Sequence, residues 1–461
     1  MPAHQNDLGR DPVGRLVLRL AIPAMTAQFV NVLYGIVDRI FIGHIPGVGA
    51  AALAGAGICA PLTALLGSFA SLVGLGGAPL AAMRMGEGRP EGARAILSNC
   101  AAALIGLSIV LTMAVLPLAQ PLLLLFGASE ATLPYARSYL TVYVLGTVFA
   151  LVSLGLNHFI ICQGHAGAGM ATVLIGAALN LLLDPLFIFT FGLGVTGAAA
   201  ATVLSQAASC AFVVAFLRSR RPQVRLVFSG YSLRILKRVA VLGLSPFLII
   251  ATDSLLLLVL NAVLQRYGGP SQGDLLVTAC TVVQSFLQLV TMPMAGITGG
   301  TQPILSFNYG ACKTGRIRLA ERYILLLCVL FTGMMFIFAR LFSGAFISVF
   351  TSDAAGAALA REGIHIVTLA IVPLAFQYTF VDGLTALGIA RYAVSLSLFR
   401  KSVFLASTLI FPFYWGAAAA FYAQPAADAL GAVVSSAVFL FSFERLMKKR
   451  REMPPGTPLY S

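Results

Sequence analysis

The chain has 461 residues, of which 59% are hydrophobic and only 10% are charged, and its mean hydropathy is +0.92. A soluble globular protein carries about 25% charged residues. The composition therefore excludes that class and predicts a polytopic membrane protein, with the lipid bilayer as solvent for most of its surface. The net charge of +14 arises from 30 basic and 16 acidic residues.

Twelve apolar runs, each about 20 residues long or more, predict twelve transmembrane helices and an all-α fold. Gly and Pro are frequent in the second and eighth runs, which predicts bent helices there. The polar N-terminus lacks the apolar core of a cleavable signal peptide, so we expect the first span to target the chain. The runs lie at residues 16–43, 52–83, 93–125, 138–162, 168–190, 195–217, 239–265, 275–307, 319–343, 361–387, 392–415 and 419–443.

Neither the cysteines nor the histidines follow a metal-binding or redox pattern. The seven cysteines lie in or beside apolar runs without a CxxC motif, which is typical of small buried side chains. The five histidines are scattered. No Walker, GxSxG or HExxH motif is present either. We therefore expect no cofactor and no catalytic residues.

Basic residues are distributed unequally between the two sets of loops. Twenty-three of the 30 lie in loops on the side of the N-terminus, and four lie in the opposite loops. By the positive-inside rule, this bias predicts that both termini are cytoplasmic. It also accounts for the net charge without a nucleic-acid partner. An alternative role for residues 218–225, RSRRPQVR, is binding to anionic lipid.

The sequence repeats itself. PLAAMRMGEGRPEGAR begins at Pro79, and the similar PILSFNYGACKTGRIR begins 224 residues later at Pro303. Six spans per half is an even number, so the halves are predicted to be parallel repeats around a central cavity, as in secondary transporters. The predicted units are an N-lobe of residues 1–217, a cytoplasmic linker of residues 218–238 and a C-lobe of residues 239–461.

Few acids lie in or at the edge of the apolar runs, and such acids are functional by default because a buried charge is costly. In the first span, Asn31, Tyr34 and Asp38 share one helix face by their spacing. The following residue, Arg39, does not share the face of Asp38. The acids are Asp38, Asp184, Asp253, Asp382 and Asp428.

Polar side chains of two further spans reach a depth similar to that of Asp38. Asn180 and Asp184 stack on one face of the fifth span, and Pro185 predicts a local bend there. Thr202 lies about two turns into the sixth span. Their carboxylate, amide and hydroxyl oxygens could bind a hard cation or hold a proton. The alternative is that these groups only bridge helices.

Several of these segments resemble the multidrug and toxic compound extrusion (MATE) family over nearly the whole chain. They include LAIPAMTAQFVNVLYGIVDRIFIG, LNLLLDPLFI and GVTGAAAATVLSQ. The resemblance implies an antiporter that exports organic, mostly cationic compounds in exchange for H+ or Na+. It also implies a cation site, with metal ligands only if Na+ is the coupling ion, a set of polar cavity residues and a hinge. The implied cation site consists of Asp38, Asn180, Asp184 and Thr202. The implied cavity residues are Asn31, Tyr34 and Asn157, and the implied hinge is Pro23.

The chain departs from the family pattern in two respects. Arg39 stands where a small residue is usual. Asp253 in the seventh span resembles an acid of another family branch. That branch has a second acid in the tenth span, which this chain lacks; Asp382 lies about six residues beyond that position. We interpret both Asp253 and Asp382 as substrate-cavity acids. Asp428 is interpreted as a helix-start residue that faces the positive end of the helix dipole. We expect a monomer in the bacterial inner membrane.

Two other functions remain open at this stage. A flippase for lipid-linked sugars would need basic residues inside the cavity, and Arg39, Arg400 and Lys401 are the candidates. A membrane-embedded enzyme would need a catalytic constellation, and His158, which is equivalent to Asp382 in the repeat, belongs to no motif.

Overall fold

In the computed structural model, the described residues are 7–126, 128, 130, 132–348 and 354–452. Within these ranges the chain is helical and contains no strand. Among the described residues, eleven helices are long and apolar enough to cross a membrane, and a bent pair of shorter helices supplies a twelfth span. Each of the twelve predicted spans corresponds to one of them, so the predicted fold class is confirmed.

The first six spans form the N-lobe and the last six form the C-lobe. The N-lobe spans are α1 (Val13–Gly43), α2 (Gly49–Gly86), α3 (Pro90–Leu125), α4 (Leu133–Leu145 with Thr147–Ile161), α5 (Ala166–Pro185, continued by Leu186–Thr190) and α6 (Gly194–Arg218). The C-lobe spans are α7 (Leu233–Gly269), α8 (Leu275–Gly310), α9 (Thr314–Ile347), α10 (Ala354–Ala386), α11 (Ala390–Trp415) and α12 (Ala417–Lys448).

Breaks in the helical backbone occur in two spans. α4 is bent by 57° at Gly146, and α10 contains a 3-10 turn at Thr368–Ala370, the corresponding place in the second half. The second and eighth spans, α2 and α8, are unbroken helices, and the bends predicted for them stay a prediction. Some of their glycines, among them Gly86 and Gly310, allow close packing between the lobes.

The backbone confirms the internal repeat. Cys312 is the only non-glycine residue with positive φ among the described residues, with φ of 59°, and Gly88 at the equivalent position has φ of 73°. Left-handed backbone favours glycine, so its recurrence reflects equivalent turns. Three further pairs of left-handed residues keep nearly the same offset, namely Gly47 and Gly269, Gly164 and Gly388, and Gly194 and Gly416.

The lobes pack tightly at the end that carries the N-terminus. A Cβ atom built on Gly86 would lie 1.9 Å from the carbonyl oxygen of Phe307, and one on Gly310 would lie 2.1 Å from that of Met83. These two contacts are related by the repeat. Nearer the middle, a Cβ on Gly243 would lie 1.8 Å from the Leu72 oxygen. The backbones can approach so closely because glycine has no side chain.

Two extramembrane segments reinforce this end. The segment before α1 crosses to the C-lobe, where Asn308 donates to the Leu8 carbonyl at 2.9 Å and Arg316 donates to the Asp11 carbonyl at 2.7 Å. The linker between the lobes docks on the N-lobe. Asn99 donates to the Gly230 carbonyl at 2.9 Å and accepts from the Ser232 amide at 2.8 Å.

Candidate cation site

The polar residues of α5 and α6 form a buried cluster inside the N-lobe. Asn180 Nδ2 donates to Asp184 Oδ1 at 3.0 Å and lies 3.4 Å from Thr202 Oγ1. Asn180 and Asp184 are only 3% and 1% exposed. The i, i+4 spacing places both side chains on one face of α5, and the packing of α6 brings Thr202 to that face. The matched depth predicted from sequence is therefore confirmed.

Asp38 of α1 completes the cluster. Its carboxyl group lies close enough to that of Asp184 for the two groups to interact directly. A hydrogen bond between them would require a proton on one of the two groups, because two carboxylates only accept. Asp38 Oδ1 and Asp184 Oδ2 are both buried without a hydrogen-bond partner. Two carboxyl oxygens are thus left for a proton or a cation.

The charge of Arg39 acts on Asp38, but Arg39 forms no ion pair with it. Among the ion pairs of the described residues, none includes Asp38 or Asp184. Arg39 is exposed, as expected for a neighbour at i+1 on a helix. Uncompensated charge at this depth is costly, so the site favours binding of a positive ion or retention of a proton.

The backbone next to Asp184 is irregular, as Pro185 predicted. Leu186–Thr190 forms a π-helical turn directly after this proline. Proline has no N–H to donate and its ring crowds the preceding turn, so the regular helix ends there. The wider turn begins two residues after Asp184, and π turns are frequent at functional sites.

The sequence argument missed the tyrosines that surround Asp38. Tyr139 of α4 lies close enough to Asp38 and Tyr34 for their charges to interact. The rings of Tyr139 and Tyr143 stack with centroids 6.3 Å apart, and the Tyr143 phenol lies near Gln206. The spacing of four residues between Tyr139 and Tyr143 was visible in the sequence. Its link to Asp38 depends on the packing of α4.

The other residues implied by the family resemblance lie at varied distances from this cluster. Tyr34 is part of it, and Asn31 lies seven residues before Asp38 on α1, about 10 Å along the axis. Asn157 donates to the Gly169 carbonyl at 3.3 Å. Gly169 precedes Asp184 by fifteen residues on α5, about 22 Å along the helix. The structure therefore does not bring Asn157 to the cation cluster.

Pro23 lies within α1, which is helical from Val13 to Gly43. The next residue, Ala24, packs against the C-lobe. A Cβ atom built on Gly296 of α8 would lie 2.7 Å from its carbonyl oxygen. The proline is thus placed beside the contact between the lobes, and its role as a hinge remains a prediction.

Asp253 and Asp428 of the C-lobe are paired with bases. Lys401 donates to Asp253, whose side chain is 56% exposed. Arg400 contacts Asp428 at 2.8 Å, and Gln424 also donates to this fully buried acid. The α-helix that contains Asp428 begins at Ala423 and has no acidic residue in its first turn, so the interpretation of Asp428 as a helix-start residue is wrong. Sequence reasoning missed the pair because the two residues are 28 positions apart on different helices.

Asp382 belongs to a different part of the C-lobe. Its Oδ2 accepts a hydrogen bond of 2.5 Å from Thr298 of α8. The buried Glu321 of α9 lies near enough for the two acids to interact electrostatically. Glu321 was not among the predicted site residues, although it lies in the predicted span of residues 319–343.

Within the described residues, no three His, Cys, Asp or Glu side chains are grouped as a metal site. The N-lobe cluster instead offers two carboxyl groups, one amide and one hydroxyl. Oxygen donors of this kind suit hard cations. All seven cysteines are unpaired, and five of them are buried.

Comparison with known proteins places the chain in a family. The MatE family model matches residues 23–186 and 249–408, one match in each lobe. The multidrug export protein MepA of Staphylococcus aureus (strain N315) is 23% identical over 450 residues, covering 97% of this chain and 98% of that protein. MepA of Staphylococcus haemolyticus (strain JCSC1435) is 22% identical over 393 residues, or 85% of each chain.

Solved structures share the fold over nearly the whole chain. An outward-facing multidrug resistance MATE family transporter of the MOP superfamily superimposes with a TM-score of 0.88 and 24% identity, covering 97% of this chain and 100% of that one. A MOP superfamily transporter from Pyrococcus furiosus, described as having a binding pocket of reverse polarity, gives 0.89 and 24%, covering 98% and 100%. The chain therefore belongs to the MatE family, and it is a membrane transporter and not an enzyme.

Proposed function

We propose that this transporter exports organic, mostly cationic compounds in exchange for H+ or Na+. The observation that carries the proposal is the contact between the Asp38 and Asp184 carboxyl groups, each with a buried oxygen that lacks a partner. The relatives with known names are multidrug export proteins, which supports organic compounds as the class of cargo.

The geometry supports a simple exchange cycle. The lobes are closed at the end that carries the N-terminus, which the charge bias assigns to the cytoplasm. A coupling ion from outside would then bind Asp38 and Asp184 and neutralise them. Neutralisation removes their attraction for a cationic compound, which leaves outward. Coupling results because ion and compound favour opposite states of the carboxyl pair.

Efflux of ethidium from proteoliposomes tests this proposal. A pH gradient and a Na+ gradient are imposed separately on the wild type, Asp38→Asn and the control Asp11→Asn, whose carboxylate lies before α1. We expect one gradient to drive efflux from the wild type and the control but not from Asp38→Asn. Ion-driven efflux by a correctly inserted Asp38→Asn protein would refute the role of this site.

A flippase for lipid-linked sugars is the second candidate. Arg400 and Lys401 would have to bind the pyrophosphate of such a cargo. Both contact acids in this structure, Asp428 and Asp253 respectively, so the cargo would have to displace them. Translocation of a lipid-linked substrate by purified protein, without ethidium efflux under either gradient, would favour this function over drug export.

A further inference from the structure

A second acidic pair lies in the C-lobe, apart from the cation cluster. Glu321 of α9 and Asp382 of α10 face each other across the packing of these two helices with α8. Glu321 is 6% exposed, and its Oε1 atom is buried without a hydrogen-bond partner. This atom is directed at the backbone next to Asp382, since a Cβ atom built on Gly383 would lie 2.5 Å from it.

The charged neighbours of the pair are engaged elsewhere or exposed. Arg318, one turn before Glu321 on α9, contacts Glu444 of α12 at 2.7 Å. Arg322 on α9 and both Arg15 and Arg19 on α1 are exposed. Within the described part of the chain, no Lys or Arg forms an ion pair with Glu321 or Asp382.

The remaining groups around the pair are neutral at physiological pH or polar. Thr298 of α8 donates to Asp382 Oδ2, so that oxygen is already satisfied. Cys328 of α9 and Thr379 of α10 lie near each other, and Tyr378 of α10 lies near Asp382. Two neighbouring carboxylates without a cation are unfavourable in a membrane interior. A single proton removes their repulsion and can give the Glu321 oxygen a hydrogen-bond partner.

We propose that Glu321 and Asp382 form a second proton-binding site, in which one proton is held between the two carboxyl groups. The ligand is a proton and not Na+, because the pair offers few oxygen donors beyond the two carboxyl groups and the Thr298 hydroxyl is already a donor to one of them. A carboxylic acid O–H on one residue donates to the carboxylate of the other.

The site lies directly behind the contact between the lobes. Thr298 is between Gly296 and Gly300 on α8, and Cβ atoms built on these glycines would lie 2.7 Å and 2.5 Å from atoms of Ala24 on α1. A change of charge at Asp382 therefore acts on the segment of α8 that seals the lobes beside Pro23. Binding and release of this proton would bias the opening of that end.

Infrared difference spectroscopy of the full-length reconstituted protein tests the proposal. The carbonyl stretch of protonated carboxylic acids is recorded as pH is varied, in an Asp38→Asn, Asp184→Asn background that removes the N-lobe acids. We expect this background to retain a carboxylic acid signal at neutral pH, and Glu321→Gln to abolish its pH-dependent component. The matched control Glu444→Gln, an exposed glutamate, should leave the signal unchanged.

Two further variants protect the test against misfolding of Glu321→Gln. Asp382→Asn should also remove the signal, and Thr298→Val, which keeps both acids but removes the hydroxyl donor, should shift its frequency. An unchanged spectrum in both Glu321→Gln and Asp382→Asn overturns the proposal. Loss of the signal on addition of Na+ at constant pH also overturns it, in favour of a sodium site. The infrared measurement needs no transported compound. A failure of ethidium export would therefore count against the proposed function but not against this proton-binding site.

Discussion

At the position where the N-lobe has Asp38, the C-lobe has Asn261, and at the position of Asp184 it has Thr408. The buried polar atoms Asn261 Oδ1 and Thr408 Oγ1 also lack hydrogen-bond partners. The C-lobe thus repeats the polar positions of the cation cluster without its charge. The repeat preserved the backbone, with its equivalent left-handed turns, while the side-chain chemistry of the two lobes diverged.

Two acids of the C-lobe are arranged on a different principle. Arg400 and Lys401 are paired with Asp428 and Asp253, whereas the described acids of the N-lobe cluster form no ion pair. A buried acid beside a base is compensated and has no need of an external ion. A buried acid beside another acid requires one, and this applies to the N-lobe cluster and to the pair at Glu321. The N-lobe cluster is therefore a better candidate for coupling to an ion than the two ion pairs of the C-lobe.

The largest effect is expected from removal of charge at equivalent positions in the two lobes. Asp184→Asn should reduce gradient-driven ethidium efflux to the level of vesicles without protein, because the coupling ion loses one of its two carboxyl ligands. Thr408→Val, at the equivalent C-lobe position, should retain most of the efflux. Equal losses in both variants would contradict the assignment of coupling to the N-lobe.

The second prediction concerns the paired charges. Arg400→Met leaves Asp428 buried and uncompensated, which we expect to cost about 3–5 kcal/mol in the free energy of unfolding. Thermal unfolding of the detergent-solubilised protein measures this loss. The double variant Arg400→Met, Asp428→Leu should recover most of the stability, whereas Asp184→Asn should cost little because it relieves a carboxyl pair. An unaltered melting temperature in Arg400→Met would refute the ion pair.

A smaller effect is expected at the contact between the lobes. Gly296→Ala places a methyl group 2.7 Å from the Ala24 carbonyl oxygen, and such overpacking costs about 1–3 kcal/mol. Gly299→Ala on the same helix has no atom within 4 Å of the new methyl group and is the matched control. Melting temperatures of the two variants provide the comparison. Equal values would show that the lobes do not approach so closely at Gly296.

The smallest effect concerns the repeat-related turns at Gly88 and Cys312. Cys312→Gly should raise the stability by up to about 1 kcal/mol, because a left-handed backbone is strained for any residue with a Cβ atom. Gly88→Ala should lower it by a similar amount for the same reason. Chemical denaturation of the two variants gives the signs. A loss of stability in Cys312→Gly would indicate that the thiol contributes more than the turn costs.

Much of the fold and part of the site could be predicted from the sequence. Runs of apolar residues predict spans because the bilayer demands them at a fixed length, and the spacing of Asn180 and Asp184 fixes their shared face. The bend of α4 at Gly146 was not predicted, and glycines of α2 such as Gly76 and Gly86 instead allow close packing against the C-lobe. Asn157 was implied by resemblance alone, and the structure places it against Gly169, which is about 22 Å along α5 from Asp184.

The sequence by itself determined the membrane class, the twelve spans, the two halves and the acidic residues that lie within the apolar runs. These properties follow from hydropathy and local periodicity, which each segment carries on its own. Only the tertiary structure decided which acids meet. Asp38 meets Asp184 from 146 positions away, Asp428 meets Arg400 and Asp382 lies near Glu321, because contacts between helices depend on packing and not on spacing along the chain.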